Sequence, residues 1–179
     1  MIRNLLYYGN PGLRKRCAEV KEIDDEVRQI ARDLIDTVLE KDGAGLAAPQ
    51  IGYFVRMFVS RYGGGTDAEG WPILSPPKIY INPILSKPSD RKETRGEGCL
   101  SIPGIHAEVT RPWEIHVQAT DLEGKTFTEI ATGWLARNIM HENDHINGVL
   151  YIDRIDPKRR KKIDPPLLSL KKKYKKSRL

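Results

Sequence analysis

The chain has only two cysteines, Cys17 and Cys99, among its 179 residues. One disulfide would be a poor framework for a chain of this size, so the disulfide-stapled secreted class is excluded and a reducing compartment is expected. No apolar run approaches the length of a membrane span. The opening stretch MIRNLLYYGNPGLRKR lacks both an apolar core and a small-residue cleavage site, so nothing in it directs export. No transit peptide is visible either. A bacterial cytoplasm is the expected location, ahead of an organelle interior. There are no internal repeats, which excludes solenoids and propellers. What remains is 39% hydrophobic and 30% charged, the balance of an ordinary globular domain long enough to bury a core.

Charge is unevenly spread. Ile155 to Leu179 holds eleven Lys/Arg and two Asp, a local balance of +9 within an overall +6. The preceding body is mildly acidic. The chain therefore divides into a catalytic unit, residues 1–154, and a basic tail, residues 155–179. Such a tail is either a solvated, solubilising segment or a counter-charge for nucleic acid.

Val27, Ile30, Ala31, Leu34, Ile35, Val38 and Leu39 repeat at the helical period behind Asp24-Asp25, and Gly43 and Gly45 stop the pattern. Tyr53–Val59 and Ile79–Ile81 read as strands, the second limited by Pro83. The Gly- and Pro-rich stretch between them, RYGGGTDAEGWPILSPP, reads as a mobile surface loop. Ile115–Ala119 and Thr126–Ile130 alternate around Asp121-Leu122-Glu123-Gly124, a hairpin signal. A second helix runs from about Thr132 to Asn147, ended by Gly148. This order predicts an α+β fold: small antiparallel or mixed sheets around a central helix, with an N-terminal helix and a basic C-terminal segment.

The central helix carries His141-Glu142-Asn143-Asp144-His145, the pattern H-E-x-x-H. Four residues advance a helix by about 400°, so the two imidazoles sit on one face and can share a metal, with Glu142 beside its water. A third protein ligand is required. The extended form H-x-x-G-x-x-H fails, because Tyr151 stands where its last His would be, and no glutamate follows Glu142. Upstream, His116 alternates within a strand and reads as structural. His106 follows Pro103-Gly104 on a loop, and Cys99 follows two glycines in Gly96-Glu97-Gly98-Cys99. Both remain open as ligands. Cys with two His leaves a fourth position free, a catalytic rather than structural layout.

EGCLSIPG (Glu97 to Gly104), HENDH (His141 to His145) and GAGLAAPQIG (Gly43 to Gly52) together resemble the three motifs of the peptide deformylases, in order and at the family's separation. The resemblance extends from YYGNPGLRKRCAEV to about Asp153. It implies a hydrolase that removes the formyl group from the N-terminal formyl-methionine of new proteins, releasing formate. It implies one divalent metal, iron(II) physiologically and zinc in many purified forms, held by Cys99, His141 and His145, with Glu142 as catalytic acid/base. A soft thiolate with two imidazoles suits either metal and argues against magnesium or calcium.

Within that reading, the Leu100 backbone N–H and the Gln50 side chain are suited to hold charge on the formyl oxygen. Gly43, Ala44 and Gly45, and likewise Glu97 and Gly98, offer backbone to an extended peptide, while Ile139 and Ala44 line a pocket for the methionine side chain. Trp134 reads as core. Arg111 and Asp144 read as supports for the helix or the Cys99 loop, or as solvated charges. Two residues depart from the family's usual pattern: Met140, where Gln is common, and Ala44, where a bulkier aliphatic is common. The partners implied are nascent polypeptide N-termini and, through the basic tail, the ribosome, with no membrane.

Two other classes compete. An endopeptidase would need a downstream ligand that is absent. A nucleic-acid module with a structural metal would have no use for Glu142.

Overall fold

A computed structural model describes residues 1–174, with Gly64 described by its backbone alone. Helix α1 is Asp25–Glu40, and the Asp24 side chain caps it by accepting from the Val27 N–H at 2.9 Å. Strands β1 (Gly45–Ala47), β2 (Met57–Thr66), β3 (Pro72–Ser86), β6 (Glu114–Thr120) and β7 (Thr126–Thr132) form one sheet in the order β1-β2-β3-β6-β7, each neighbouring pair antiparallel. Strands β4 (Lys92–Cys99) and β5 (Ile102–Pro112) make a separate two-stranded ribbon. Helix α2 is Gly133–Ile146 and helix α3 is Pro157–Tyr174.

The period of two along the strands divides the core between the helices. Met57, Val59, Ile79 and Ile81 face α1 through Ile30, Leu34 and Val38. Their alternating neighbours Phe58 and Tyr80, with Val117 and Ala119, face α2 through Ala136, Ile139 and Ile146. The sheet is thus sandwiched between the two helices. A third apolar cluster joins the ribbon to the chain ends: Ile102, Ile105 and Val109 meet Leu6, Leu13, Tyr151, Ile152 and Leu167. The end of α2 is fixed by a close approach. Gly148 has φ +74° and a Cβ there would lie 2.5 Å from the Arg14 carbonyl oxygen, so only glycine fits.

Three sequence expectations change. The stretch expected as a loop is mostly a hairpin, with Tyr62 opposite Leu74 and Thr66 opposite Pro72. Its turn is organised by Asp67, whose carboxylate accepts from the Glu69 and Trp71 N–H groups. The strand that Pro83 was expected to limit runs through it. Asn82 takes φ +49° and the register shifts between Ile81 and Ile84, so the irregularity absorbs the missing donor. Residues 53–56 precede β2 rather than belonging to it.

The prolines of the basic tail do not break it into pieces. α3 is continuous with Pro165 and Pro166 inside it. Leu167 is 1% exposed, whereas Leu168 is 59% exposed. The basic tail is described as far as Tyr174, where α3 ends, and residues 175–179 fall outside the described residues. No described helix is long and apolar enough to cross a membrane.

One buried charge ties the N-terminal segment to α1. Asp33 has no exposed surface and accepts from Arg3 Nε at 2.6 Å, Gln29 Nε2 at 2.8 Å, Tyr53 Oη at 3.1 Å and the Met1 amino group at 2.7 Å. Burial pushes its pKa up, but these donors outweigh it and hold it at about 2. Its cationic partners are partly solvated, so the contribution is discounted to about 1–2 kcal/mol. A depressed carboxylate stabilises fully above its unfolded pKa and loses that contribution as pH falls through the folded value. Asp33→Asn is expected to lower the melting temperature by roughly 2–8 °C at pH 7. The difference should shrink from about pH 4 toward pH 2, and thermal melts across that range check it.

Candidate active site

The site is built where α2 passes between the edge of the sheet and the ribbon. Residues Leu100 and Ser101 are the tight turn of the ribbon, so Cys99 closes β4 directly opposite Ile102. That turn aims the Cys99 sulfur at α2. Cys99 Sγ lies 3.3 Å from His145 Nε2, and one donor atom from each of Cys99, His141 and His145 falls within 4.8 Å of the others. Both imidazoles are buried and Cys99 is half-buried. This is a soft, converging donor set on rigid elements, and it can hold one metal ion. His106 is not part of it. It is on β5 rather than a loop, and its ring lies against Gly98, where a Cβ would be 2.6 Å away. His116 sits in β6, paired with Ile130, away from the group.

A buried ionic network orients the first histidine. Glu97 accepts from Arg111 Nε at 2.7 Å and Nη2 at 2.9 Å, from Arg137 Nη1 at 2.6 Å, and from His141 Nδ1 at 3.0 Å. Burial would raise the Glu97 pKa, but the Arg111 and His141 contacts hold it well below the carboxylate range. Arg111 also donates to Asp144 at 2.9 Å, and Arg154 donates to Asp144 at 2.7 Å. Arg111 and Asp144 are therefore buried supports and not solvated charges. Burial pulls His141 down, but its contacts with Cys99 and Glu97 more than offset this, and its pKa stands well above the ordinary value. Burial, with His141 beside it, pushes His145 well below.

Glu142 lies on the same helix face, 3% exposed, with Oε2 lacking a hydrogen-bond partner. Burial raises its pKa to about 7, partly opposed by His141. A carboxyl group poised there can take and return a proton near neutral pH. Gln50 is in the short 3-10 turn Ala48–Ile51. Its Oε1 accepts from the Ala47 N–H at 2.7 Å, and its Nε2 donates to Ser101 Oγ at 3.1 Å and Cys99 Sγ at 3.4 Å. The side-chain amide is thereby locked with its donors toward the cysteine.

Gln50, Cys99, His141 and Glu142 line a cleft of about 480 Å³, together with Gly43, Ala44, Gly45, Glu97, Gly98 and Leu100. Two expectations are corrected. Ile139 is fully buried among Phe58, Tyr80 and Ile146 and does not line the cleft, because it projects toward the sheet from the other side of α2. Trp134 is not core. It is half-buried on the cleft wall, with its ring 6.3 Å from both Tyr62 and Trp71 and under the Arg95 guanidinium. Tyr62, Arg137 and Asn138 also line the cleft and were not anticipated. For Asn138 the signal was available: it precedes Glu142 by four residues and His145 by seven, on one helical stripe.

Comparison with known proteins identifies the family and the fold. The family model described as "Polypeptide deformylase" matches residues 2–161. A peptide deformylase of Clostridium botulinum is 40% identical over 157 residues, covering 88% of this chain and 99% of its own. One from Thermomicrobium roseum is 42% identical over 155 residues, covering 87% and 86%. Among solved structures, a Plasmodium falciparum peptide deformylase superposes with a TM-score of 0.86 at 33% identity, covering 98% of this chain and 99% of its own. That of Thermotoga maritima gives 0.78 at 37% identity, covering 88% and 99%. With a shared fold, a shared length and a converging Cys/His/His group, the chain belongs to the polypeptide deformylase family.

Proposed function

We propose that Cys99, His141 and His145 hold one divalent metal, iron(II) in the cell and zinc as a substitute, and that Glu142 carries the protons in hydrolysis of N-terminal formyl groups. The reaction removes the formyl group of newly synthesised polypeptides and releases formate. The observation that carries the site assignment is the convergence of three donor atoms within 4.8 Å, beside a buried carboxyl group on the wall of a cleft.

A metal held there would lower the pKa of water near neutral pH and polarise the formyl oxygen. Glu142 takes the proton of the attacking water and returns one to the departing nitrogen. The Leu100 N–H and the Gln50 Nε2 donate to the charge that builds on the formyl oxygen. Gln50 is held ready for this by Ala47 and Ser101. Gly43, Ala44 and Gly45 on one wall, and Glu97 and Gly98 on the other, receive the peptide as an added strand. Main-chain pairing reads little sequence, which suits an enzyme acting on many different chains in the cytoplasm.

The first test is release of formate from a formyl-Met peptide, beside an unformylated internal peptide. The first should be cleaved and the second should not; the converse would point to an endopeptidase.

We take residues 1–154 as the catalytic unit and 155–179 as an appended basic segment that contacts the ribosome through phosphates. Lys161, Lys162, Lys171 and Lys172 are exposed on α3, whereas Leu167 anchors it. Deleting the segment would therefore expose core, and charge substitution is the cleaner test. Changing these four lysines to glutamine should leave the melting temperature and hydrolysis of a short formyl-Met peptide unchanged. Co-sedimentation with ribosomes should weaken, and its salt dependence should become shallower by about 0.7–0.9 per lost phosphate contact. Unchanged sedimentation would rule the contact out.

A further inference from the structure

The cleft beside the donor set carries little of what a methionine side chain needs. Its lining holds no valine, isoleucine, methionine or phenylalanine, and Ile139, the aliphatic residue expected there, is turned into the sheet. The aliphatic side chains that remain are Ala44, Leu100 and Pro103. Leu100 packs with the α1 cluster, and its Cδ1 is 2.9 Å from where a Cβ on Gly43 would stand. Along α2 the wall is instead Trp134, Arg137 and Asn138. Asn138 is 7% exposed, and its Oδ1 has no hydrogen-bond partner among the described residues.

The first side chain of a bound peptide is directed to that wall. In β1, Leu46 belongs to the α1 cluster and Ala47 to the α2 cluster, so Gly45 faces α2. A Cβ on Gly45 would lie 2.5 Å from Glu142 Oε1, 2.7 Å from Asn138 Nδ2 and 2.9 Å from Asn138 Oδ1. β1 is the edge of its sheet, and the Ala44 carbonyl accepts from the Arg61 N–H, so by alternation the Gly45 N–H and C=O point away from β2. A peptide paired there gives its own N–H to the Gly45 carbonyl. Residues opposite each other in a sheet point to the same face. The formylated residue lies opposite Gly45, because its nitrogen must reach Glu142. Its side chain therefore projects toward α2 and onto Asn138, with Trp134 one helical turn behind and Tyr62 6.3 Å from that indole.

The charges of this wall are committed. Arg137 donates to Glu97 and to the carbonyls of Val109 and Glu93, while Arg95, stacked over Trp134, pairs with Glu93. What the wall offers a side chain is a neutral amide flanked by aromatic rings. A thioether would cover that amide without satisfying it, whereas a side-chain amide or hydroxyl can hydrogen-bond to it. Resting on the deformylase reading, we infer that Asn138 is the specificity-determining residue for the first side chain, and that formyl peptides beginning with a neutral polar residue are cleaved nearly as well as those beginning with methionine.

The test compares formyl-Met-Ala-Ser with formyl-Gln-Ala-Ser, whose first side chains are of similar length, on the metal-loaded enzyme. For the unmodified enzyme the two kcat/KM values should agree within about tenfold. Asn138→Leu removes the amide and supplies aliphatic carbon. It should raise the value for the methionine peptide and lower that for the glutamine peptide, moving their ratio about tenfold toward methionine. A residue that only supports the fold would lower both together. Should the leucine variant fail to fold, Asn138→Ala also removes the amide and should move the ratio in the same direction. A preference of the unmodified enzyme for methionine above about 100-fold, or an unchanged ratio in the folded variant, would overturn the inference. No formate release from either peptide by the unmodified enzyme would instead overturn the deformylase reading itself.

Discussion

Replacing Cys99 with alanine is expected to remove metal and activity together. The sulfur lies 3.3 Å from His145 Nε2 and within 4.8 Å of both histidine donors, so it closes the donor set. Two histidines without a third protein ligand hold a divalent ion poorly, and the proposed mechanism requires that ion for turnover. Metal per chain should fall well below that of the unmodified enzyme, and turnover should fall at least about 10³-fold. The fold should survive, because Cys99 is half-buried at a turn and its removal leaves no large cavity. His106→Ala is the control. His106 rests on Gly98 in the cleft wall and is outside the donor set, so this variant should keep its metal. Elemental analysis of the two variants, purified identically without oxygen, separates them. Full occupancy in Cys99→Ala with unchanged turnover would remove Cys99 from the site.

Glu142→Ala is expected to do the opposite to binding and much the same to rate. Metal should stay, since Glu142 is not one of the three converging donors. In the proposed mechanism both proton transfers pass through its carboxyl group, so turnover should fall by about 10³–10⁴. Stability should not suffer. A carboxyl group raised to about 7 by burial, with one oxygen lacking a partner, is strained in its ionised form. Removing it relieves a desolvation cost. The variant should thus melt at or slightly above the temperature of the unmodified enzyme while being nearly inactive. Near-normal turnover would sink the proton-carrying role. Loss of metal would mean that Glu142 belongs to the donor set.

Much of this site was legible because its central piece is local. H-E-x-x-H inside an amphipathic helix fixes its own geometry, and α2 spans Gly133–Ile146 close to the expected bounds. The β6–β7 hairpin was equally readable, since its strands alternate and Asp121–Gly124 is a strong turn. The β4–β5 ribbon was not. KETRGEGC alternates charge with glycine, and its buried residue is Glu97, whose burial depends on two arginines from β5 and α2. No apolar pattern announces such a strand. The stretch from Arg61 to Pro77 misled for a related reason: glycine and proline suggest a loop, but pairing with a neighbouring strand overrides propensity. Ile139 shows the limit within a helix. Its place next to the motif suggested the cleft, while its angle around the axis sent it to the sheet. Cys99 needed the family resemblance, because a partner so distant in sequence from the two histidines leaves no local trace. Tyr62 reaches the cleft because the long β2–β3 hairpin folds back onto α2, where Trp134 Nε1 donates to the Gly70 carbonyl.

The central claim is that a metal held by Cys99, His141 and His145 is required for cleavage of a formamide. The most direct measurement is the formate released from a formyl-Met peptide as metal is titrated back into chelator-stripped, anaerobically handled enzyme. The account predicts no release from stripped enzyme, and a linear rise with iron(II) or zinc that stops at one ion per chain. It also predicts no recovery in Cys99→Ala at the same additions. Full activity in stripped enzyme, or a plateau that needs two ions per chain, would contradict it.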